Sequence, residues 1–157
     1  MTASRAKHRA LLIPVLGAVL ALGCVTPMTR DELQGKLAAA AASVPALGRK
    51  PQYFPIFAET KTEAWILLAD ARSDPESQTS RQLGAHLATA SSRRQALVVG
   101  GPYSELCDQL LLNALSLRRD RPLRGLTLVF VAPDPPSPAV TAAASAASAR
   151  LYHRTLR

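Results

Sequence analysis

The sequence is poor in aromatic residues, and it has no apolar run long enough to cross a membrane. Tryptophan, tyrosine and phenylalanine together make up 4% of its 157 residues. The longest strongly apolar run, residues 10–22, is interrupted by Pro14 and Gly17. A membrane-spanning helix needs about 20 consecutive apolar residues. The run is therefore too short to predict a membrane-spanning helix.

The positive charge of the chain is not concentrated in one stretch of sequence. Nineteen lysines and arginines against eleven acidic residues give a net charge of +8, and the excess is spread along the chain, with short pairs such as Arg93–Arg94 and Arg118–Arg119. A nucleic-acid-binding protein is expected to concentrate basic residues beside stacking aromatic residues. We therefore expect no nucleic-acid binding, and only a mild, non-specific attraction to anionic surfaces.

The first 24 residues have the parts of a secretory signal: a basic flank, a short apolar core, and small residues before a break. The segment "ALGC" at residues 21–24 resembles the lipobox of bacterial lipoproteins, although Ala21 stands where that family prefers leucine. The resemblance implies cleavage before Cys24, which would be acylated as the first mature residue. Val25 is not the aspartate that retains such proteins in the inner membrane. The implied location is the outer membrane, facing the periplasm.

Removal of residues 1–23 would leave 134 residues with a net charge of +5, which is enough for one domain. We expect a lipid-anchored helix and linker over residues 24–50, and an α/β domain over residues 51–157. With Cys24 acylated, Cys107 is the only remaining thiol, so no internal disulfide forms. We interpret Cys107 as a buried apolar residue, because no motif places His86 or His153 beside it as a catalytic partner.

Capping residues and apolar spacing predict the helices. The capping box "TRDE" at residues 29–32 opens a first helix with Leu33, Leu37, Ala41 and Val44 on one face. A second capping box, "SDPE" at residues 73–76, opens a helix that continues through Leu83, Leu87 and Ala90. A third helix carries Leu106, Leu110, Ala114 and Leu117, and a last helix begins at Ser137 and Pro138 and continues to Leu151.

Continuous apolar runs predict three strands that are buried on both faces. They lie at residues 64–70, 95–101 and 126–134, and a further edge strand with Pro55 is expected at residues 53–59. Trp65 and Phe130, within these runs, are interpreted as core residues. Strands alternating with helices predict a small three-layer α/β domain, with a mostly parallel sheet of three to four strands preceded by a short N-terminal helix.

Ligands of open parallel sheets bind outside the carboxyl ends of the strands. The candidate ligand-binding residues follow the three predicted buried strands: Asp70, Gly100, Gly101, Tyr103, Ser104 and Asp134. The two glycines allow close approach of a ligand, and the helix that follows offers free amides to an anion. A tight turn that needs glycine would equally explain Gly100 and Gly101. Asp70 and Asp134 also have two open interpretations: a carboxylate pair that binds a cation or performs acid–base chemistry, or ordinary aspartates at helix entries and turns.

Three functions remain open from the sequence. The first is a non-enzymatic envelope lipoprotein that binds a partner protein or a small anionic ligand, or that assists assembly. The second is a small periplasmic hydrolase that uses Asp70, Ser104 or Asp134 at the sheet edge. The third is a purely structural module. No complete catalytic, phosphate-binding or dinucleotide-binding motif is present, so we predict neither a cofactor nor a metal.

Overall fold

The computed structural model describes residues 28–45, 47 and 50–157, and these form an α/β fold with a fully parallel sheet. The predicted signal peptide and Cys24 lie outside the described residues. The strands are β1 (Gln52–Pro55), β2 (Ala96–Gly100), β3 (Thr127–Ala132) and β4 (Arg150–Thr155). The helices are α1 (Arg30–Ala41), α2 (Lys61–Ser73), α3 (Gln78–Ser92), α4 (Ser104–Ser116) and α5 (Pro138–Ala146).

The strands lie side by side in chain order, β1-β2-β3-β4, and each pairs in parallel with its neighbour. Every residue of β2 and β3 is buried, which confirms these two predicted strands. β1 is an edge strand as predicted, and Pro55 is its last residue. β4 is not predicted from the sequence, because Leu151 extends the apolar stripe of the last helix. In the structure that helix ends at Ala146, and Leu151 pairs with Leu128.

Helices cover both faces of the sheet, which confirms the three-layer prediction. A parallel sheet in chain order has all its right-handed crossovers on one face. Accordingly, the apolar residues of α2–α5 form one core cluster with Leu97, Val99, Leu128 and Phe130. α1 covers the opposite face. Its residues Leu33, Leu37 and Ala41, with Val44 beyond its end, pack on Val98, Val129 and Val131.

Side-chain caps fix the starts of α1 and α5 where the sequence predicts them. The Thr29 hydroxyl accepts a hydrogen bond from the Glu32 amide at 3.2 Å, and the Ser137 hydroxyl accepts one from the Val140 amide at 3.2 Å. α3 begins later than expected, with Ser77 rather than Ser73 as its N-cap. Asp74 explains the difference, because its carboxylate accepts from the Glu76 amide at 3.0 Å and so closes a separate turn between α2 and α3.

The strand predicted at residues 64–70 is wrong, because these residues belong to α2. The buried residues of α2 are Ala64, Leu68 and Ala71, which recur at the spacing of one helix face. Trp65 is consequently 59% exposed, so its interpretation as a core residue is also wrong, whereas Phe130 is fully buried as expected. The signal that identifies the helix is the Thr60–Glu63 pair, where the Thr60 hydroxyl accepts from the Glu63 amide at 3.1 Å.

A buried asparagine joins α2 and α3 to α4. The Asn113 side-chain amide donates to the Ala71 carbonyl at 2.7 Å and to the Ser80 hydroxyl at 3.4 Å, and its oxygen accepts from Gln109 at 2.9 Å. Buried polar groups cost free energy unless they are paired. Since these partners sit on three different helices, their pairing fixes how α2 packs on the layer beneath it.

We expect Leu68→Ala to lower the free energy of unfolding by about 2–4 kcal/mol, because it empties a buried site. Trp65→Ala, three residues earlier on the exposed face of α2, is expected to change it by less than about 1 kcal/mol. Urea unfolding of both variants measures the difference. The reverse order of effects would contradict the helical placement of this segment.

Candidate functional site

A cleft opens at the carboxyl ends of β2 and β3, between α2 and the start of α4. It encloses about 340 Å³, and its lining residues are Lys61, Ala64, Trp65, Leu68, Pro102, Tyr103, Ser104, Glu105, Leu106, Pro133 and Asp134. In an open parallel sheet this is the edge where ligands bind. We refer to these eleven residues as the cleft. The cleft is the candidate functional site.

Three of the six candidate residues meet in the cleft: Tyr103, Ser104 and Asp134. The Ser104 hydroxyl accepts a hydrogen bond from the Asp134 amide at 2.9 Å, which joins the start of α4 to the loop after β3. One helical turn further on, the Asp108 carboxylate accepts from the Ser137 amide at 2.7 Å. These two bonds hold the proline-rich segment 133–138 against α4 and shape one wall of the cleft.

Asp70 does not belong to this site. It lies on α2 and lines a separate depression of about 180 Å³, together with Phe54, Ile56, Thr79 and other residues. The prediction that Asp70 follows a strand fails because that segment is a helix. Asp70 and Asp134 therefore do not share a cavity. Across the described residues, no group of three or more metal-ligating side chains gathers in one place.

Gly100 and Gly101 are required by packing. A Cβ atom at Gly100 would overlap the Val131 carbonyl, and one at Gly101 would overlap the Ile56 carbonyl and approach the Cys107 sulfur. The Gly101 amide donates to the Val131 carbonyl at 3.0 Å, and the Gly100 carbonyl accepts from the Ile56 amide. These groups extend the sheet at its carboxyl end. The Gly101 amide is consequently engaged within the protein rather than open to an anion.

Cys107 lies beneath this turn and is fully buried, which confirms its interpretation as an apolar core residue. Burial raises the pKa of the thiol far above its ordinary range, and the nearby Asp108 charge raises it further. Neither histidine of the described chain lines the cleft. The His86 ring contacts Phe54 at 5.2 Å between centroids, and His153 lies on β4 near the Ala132 carbonyl.

α2 supplies a wall of the cleft that is not predicted from the sequence. Lys61, Trp65 and Leu68 line it, and Trp65 and Ile66 of α2 are two of the three large apolar side chains that are exposed among the described residues. The helical spacing of Ala64, Leu68 and Ala71 was available as a signal beside the Thr60–Glu63 capping pair. The chemistry of the cleft is that of a binding surface: an aromatic and apolar lining, a lysine, two carboxylates and one engaged hydroxyl.

The fold and the cleft define a small α/β protein with a singly wound parallel sheet. Comparisons with protein-family models, curated proteins and solved structures found no match for this chain. Within residues 28–45, 47 and 50–157, no helix combines the length and the apolar character that a membrane crossing requires.

We expect Gly101→Ala to lower the free energy of unfolding by at least about 2 kcal/mol, because its methyl group would enter space held by backbone. Gly35→Ala is the matched control. Gly35 lies in α1 with open space around it, so alanine there should stabilise the helix by roughly 0.5–1 kcal/mol. Thermal or urea unfolding checks both, and a well-tolerated Gly101→Ala would contradict the packing explanation.

We expect Cys107 to resist alkylation by iodoacetamide in the folded chain and to react after unfolding in urea. Because the pKa of the folded thiol is raised, its contribution to stability is complete below the unfolded value of about 8.5 and is lost as pH rises above it. Stability should therefore decline above about pH 9. Cys107→Ala should remove that part of the decline, and an unchanged pH profile in this variant would contradict the assignment.

Proposed function

We propose that this chain is an envelope lipoprotein, anchored through Cys24, whose α/β domain binds a partner protein and does not catalyse a reaction. The anchor rests on the lipobox-like segment at residues 21–24 and on the basic and apolar parts that precede it. The cleft at the sheet edge is the binding site in this proposal. Outer-membrane location, facing the periplasm, belongs to the same proposal because Val25 follows Cys24.

The observation that carries the binding role is the composition of the cleft. Its walls are built mainly from apolar and aromatic side chains, including the exposed Trp65 and the half-buried Tyr103. Aromatic residues are enriched in protein-binding sites because they bury a large area while losing few rotatable bonds. Lys61, Glu105 and Asp134 at the margin would set the orientation of the bound segment through charge.

The polar groups of the cleft support binding rather than hydrolysis. A serine nucleophile requires a base within hydrogen-bond reach, which is most often a histidine. The Ser104 hydroxyl instead accepts from the Asp134 amide, and the residues that line the cleft include no histidine and no cysteine. Two carboxylates against one lysine, together with the engaged Gly101 amide, favour a protein segment over a small anion as the occupant.

The start of the described chain supports a position close to the bilayer. Met28 lies beside Phe57 and Thr60, at the same end of the sheet as the cleft, and the Arg30 guanidinium lies 5.3 Å from the centre of the Phe57 ring. Four residues from Cys24 to Met28 span at most about 14 Å when extended. An acylated Cys24 would therefore keep this end of the domain near the membrane and favour a membrane-associated partner.

Metabolic labelling with a radioactive fatty acid tests the anchor. The wild-type chain should incorporate the label and fractionate with membranes, whereas Cys24→Ala should incorporate none and retain its signal segment. Cys107→Ala is the matched control, because it removes the other thiol and should be labelled like the wild type. Labelling of Cys24→Ala, or an unlabelled wild-type chain, would contradict the proposal.

Turnover of chromogenic esters and phosphoesters tests the hydrolase alternative. We expect p-nitrophenyl acetate and p-nitrophenyl phosphate to be hydrolysed at the buffer rate in the presence of the purified chain, because no histidine lines the cleft beside Ser104 and the Ser104 hydroxyl accepts a hydrogen bond from the Asp134 amide. Ser104→Ala and Asp134→Asn provide the comparison. Turnover in the wild type that either variant abolishes would overturn the non-enzymatic role.

A further inference from the structure

The parallel sheet gathers basic residues from three linkers and one strand start at its amino end. One or two of them precede each of β1, β2 and β3, one begins β4, and all six are exposed: Lys50 before β1, Arg93 and Arg94 before β2, Arg121 and Arg124 before β3, and Arg150 at the start of β4. We call these six residues the basic row. The row is dispersed over about 100 positions of sequence, and the fold makes it one surface.

The register of the sheet sets the dimensions of the row. Gln52 of β1 pairs with Leu97 of β2, and Leu128 of β3 pairs with both Leu97 and Leu151. Each basic residue precedes the aligned residue of its own strand by one to seven positions, so all six lie at the amino end of the sheet. Neighbouring strands lie about 4.8 Å apart, so the four strand starts span about 14 Å. Two hydrogen bonds join neighbouring linkers of the row. The Ser91 hydroxyl donates to the Arg124 carbonyl, and the Arg150 amide donates to the Leu126 carbonyl.

The row is not neutralised within the described part of the chain. Both ion pairs found there lie elsewhere, Lys36 with Glu32 and Arg72 with Glu105. Asp120 is the one acidic residue in the linkers that carry the row. Helix dipoles favour Arg93 and Arg94, which directly follow α3, because the effect falls off within the last turn. They do not account for the other four residues of the row, which lie four or more positions beyond the helix that precedes them.

Arg94 occupies a backbone position that usually holds glycine. Its φ is 52°, and it follows the C-cap of α3, where the Gln95 amide donates back to the Ala90 carbonyl. Glycine is preferred at this position because a Cβ atom makes the left-handed conformation costly. An arginine is therefore held in the row at some expense of stability.

Three features favour a carboxylate-rich protein as the partner. Guanidinium groups pair with carboxylates through two parallel hydrogen bonds. The linkers of the row contain no aromatic residue on which a nucleic-acid base could stack. The described chain starts at the opposite end of the sheet, beside Phe57, roughly 20 Å from the row. That distance exceeds the Debye length of about 8 Å at physiological salt, so the anchoring leaflet is a poor partner for the row.

We propose that the basic row binds the carboxylate-rich face of a partner protein, on the side of the domain that points away from the anchoring membrane. The choice of a protein over the anchoring membrane rests on the proposed lipid attachment at Cys24. A row of about 14 Å matches roughly three turns of an α-helix, so an acidic helix face of that length is a suitable occupant.

The test uses the full-length chain in a non-ionic detergent and a fluorescein-labelled peptide of twelve glutamates as the probe. Fluorescence anisotropy should report binding that weakens as sodium chloride is raised from 50 to 500 mM. The variant Arg94→Gln, Arg124→Gln, Arg150→Gln should bind the peptide at least about tenfold more weakly. The matched control Arg72→Gln, Arg81→Gln, Arg157→Gln loses the same net charge from exposed positions outside the row, and it should bind like the wild type.

A single substitution separates binding from stability. Arg94→Gly should raise the melting temperature by a few degrees, because glycine suits the positive φ, and should still weaken peptide binding about two- to threefold. If this more stable variant also binds the peptide more weakly, unfolding does not explain the loss of binding in the triple variant. Unchanged peptide binding by Arg94→Gly and by the triple variant would overturn the proposal.

Two other outcomes would also overturn the proposal that the basic row binds a protein. Equal weakening in the row variant and in the matched control would show attraction to net charge alone. Displacement of the peptide by dihexanoylphosphatidylglycerol at lower concentration than by unlabelled peptide would assign the row to a membrane. The peptide measurement does not depend on acylation. An unlabelled Cys24 together with row-specific peptide binding would therefore overturn the proposed function and support the row as a protein-binding surface.

Discussion

The alignment of four parallel strands in chain order is the constraint on which the rest of this structure depends. Each connection must return from the carboxyl end of one strand to the amino end of the next, and right-handed crossovers bring every returning helix to the same face. The other face would be exposed without α1, whose apolar stripe packs on Val98, Val129 and Val131. α1, the helix that follows the proposed anchor, is thus part of the hydrophobic core.

The same alignment gives the two ends of the sheet different chemistry. Helices begin at the carboxyl end, where their caps, first-turn acids and connecting loops form the cleft around Trp65, Tyr103 and Asp134. α3, α4 and α5 end at the amino end, where the arginines after α3 and α4 are followed by the strand starts. The proposed partner-binding cleft and the proposed basic row are therefore opposite consequences of one topology. Their separation would allow two different contacts to be made at once.

The join between β2 and α4 shows how a motif that suggests a ligand can serve packing alone. Two glycines before a helix are also found where phosphate groups bind. Here the neighbouring carbonyls of Val131 and Ile56 occupy the space that side chains would need, and the Gly101 amide completes a sheet hydrogen bond. The buried Cys107 fills the volume below. The proposed binding site therefore consists of the surrounding side chains and not of the glycine backbone.

The sequence by itself determined the fold class, because strands buried on both faces and helices with one apolar face leave distinct patterns, as at residues 96–100 and 127–132 and in α1. It did not determine α2, since a short apolar run is compatible with either a buried strand or a helix, and the exposure of Trp65 depends on which face α4 covers. β4 was hidden because Leu151 satisfies helical and strand spacing alike. Only the tertiary structure decided which polar residues meet. Strand register brings Arg94, Arg124 and Arg150 to one end of the sheet, and the packing of α2 as a helix separates Asp70 from Asp134. Such distances depend on long-range packing that no local pattern encodes.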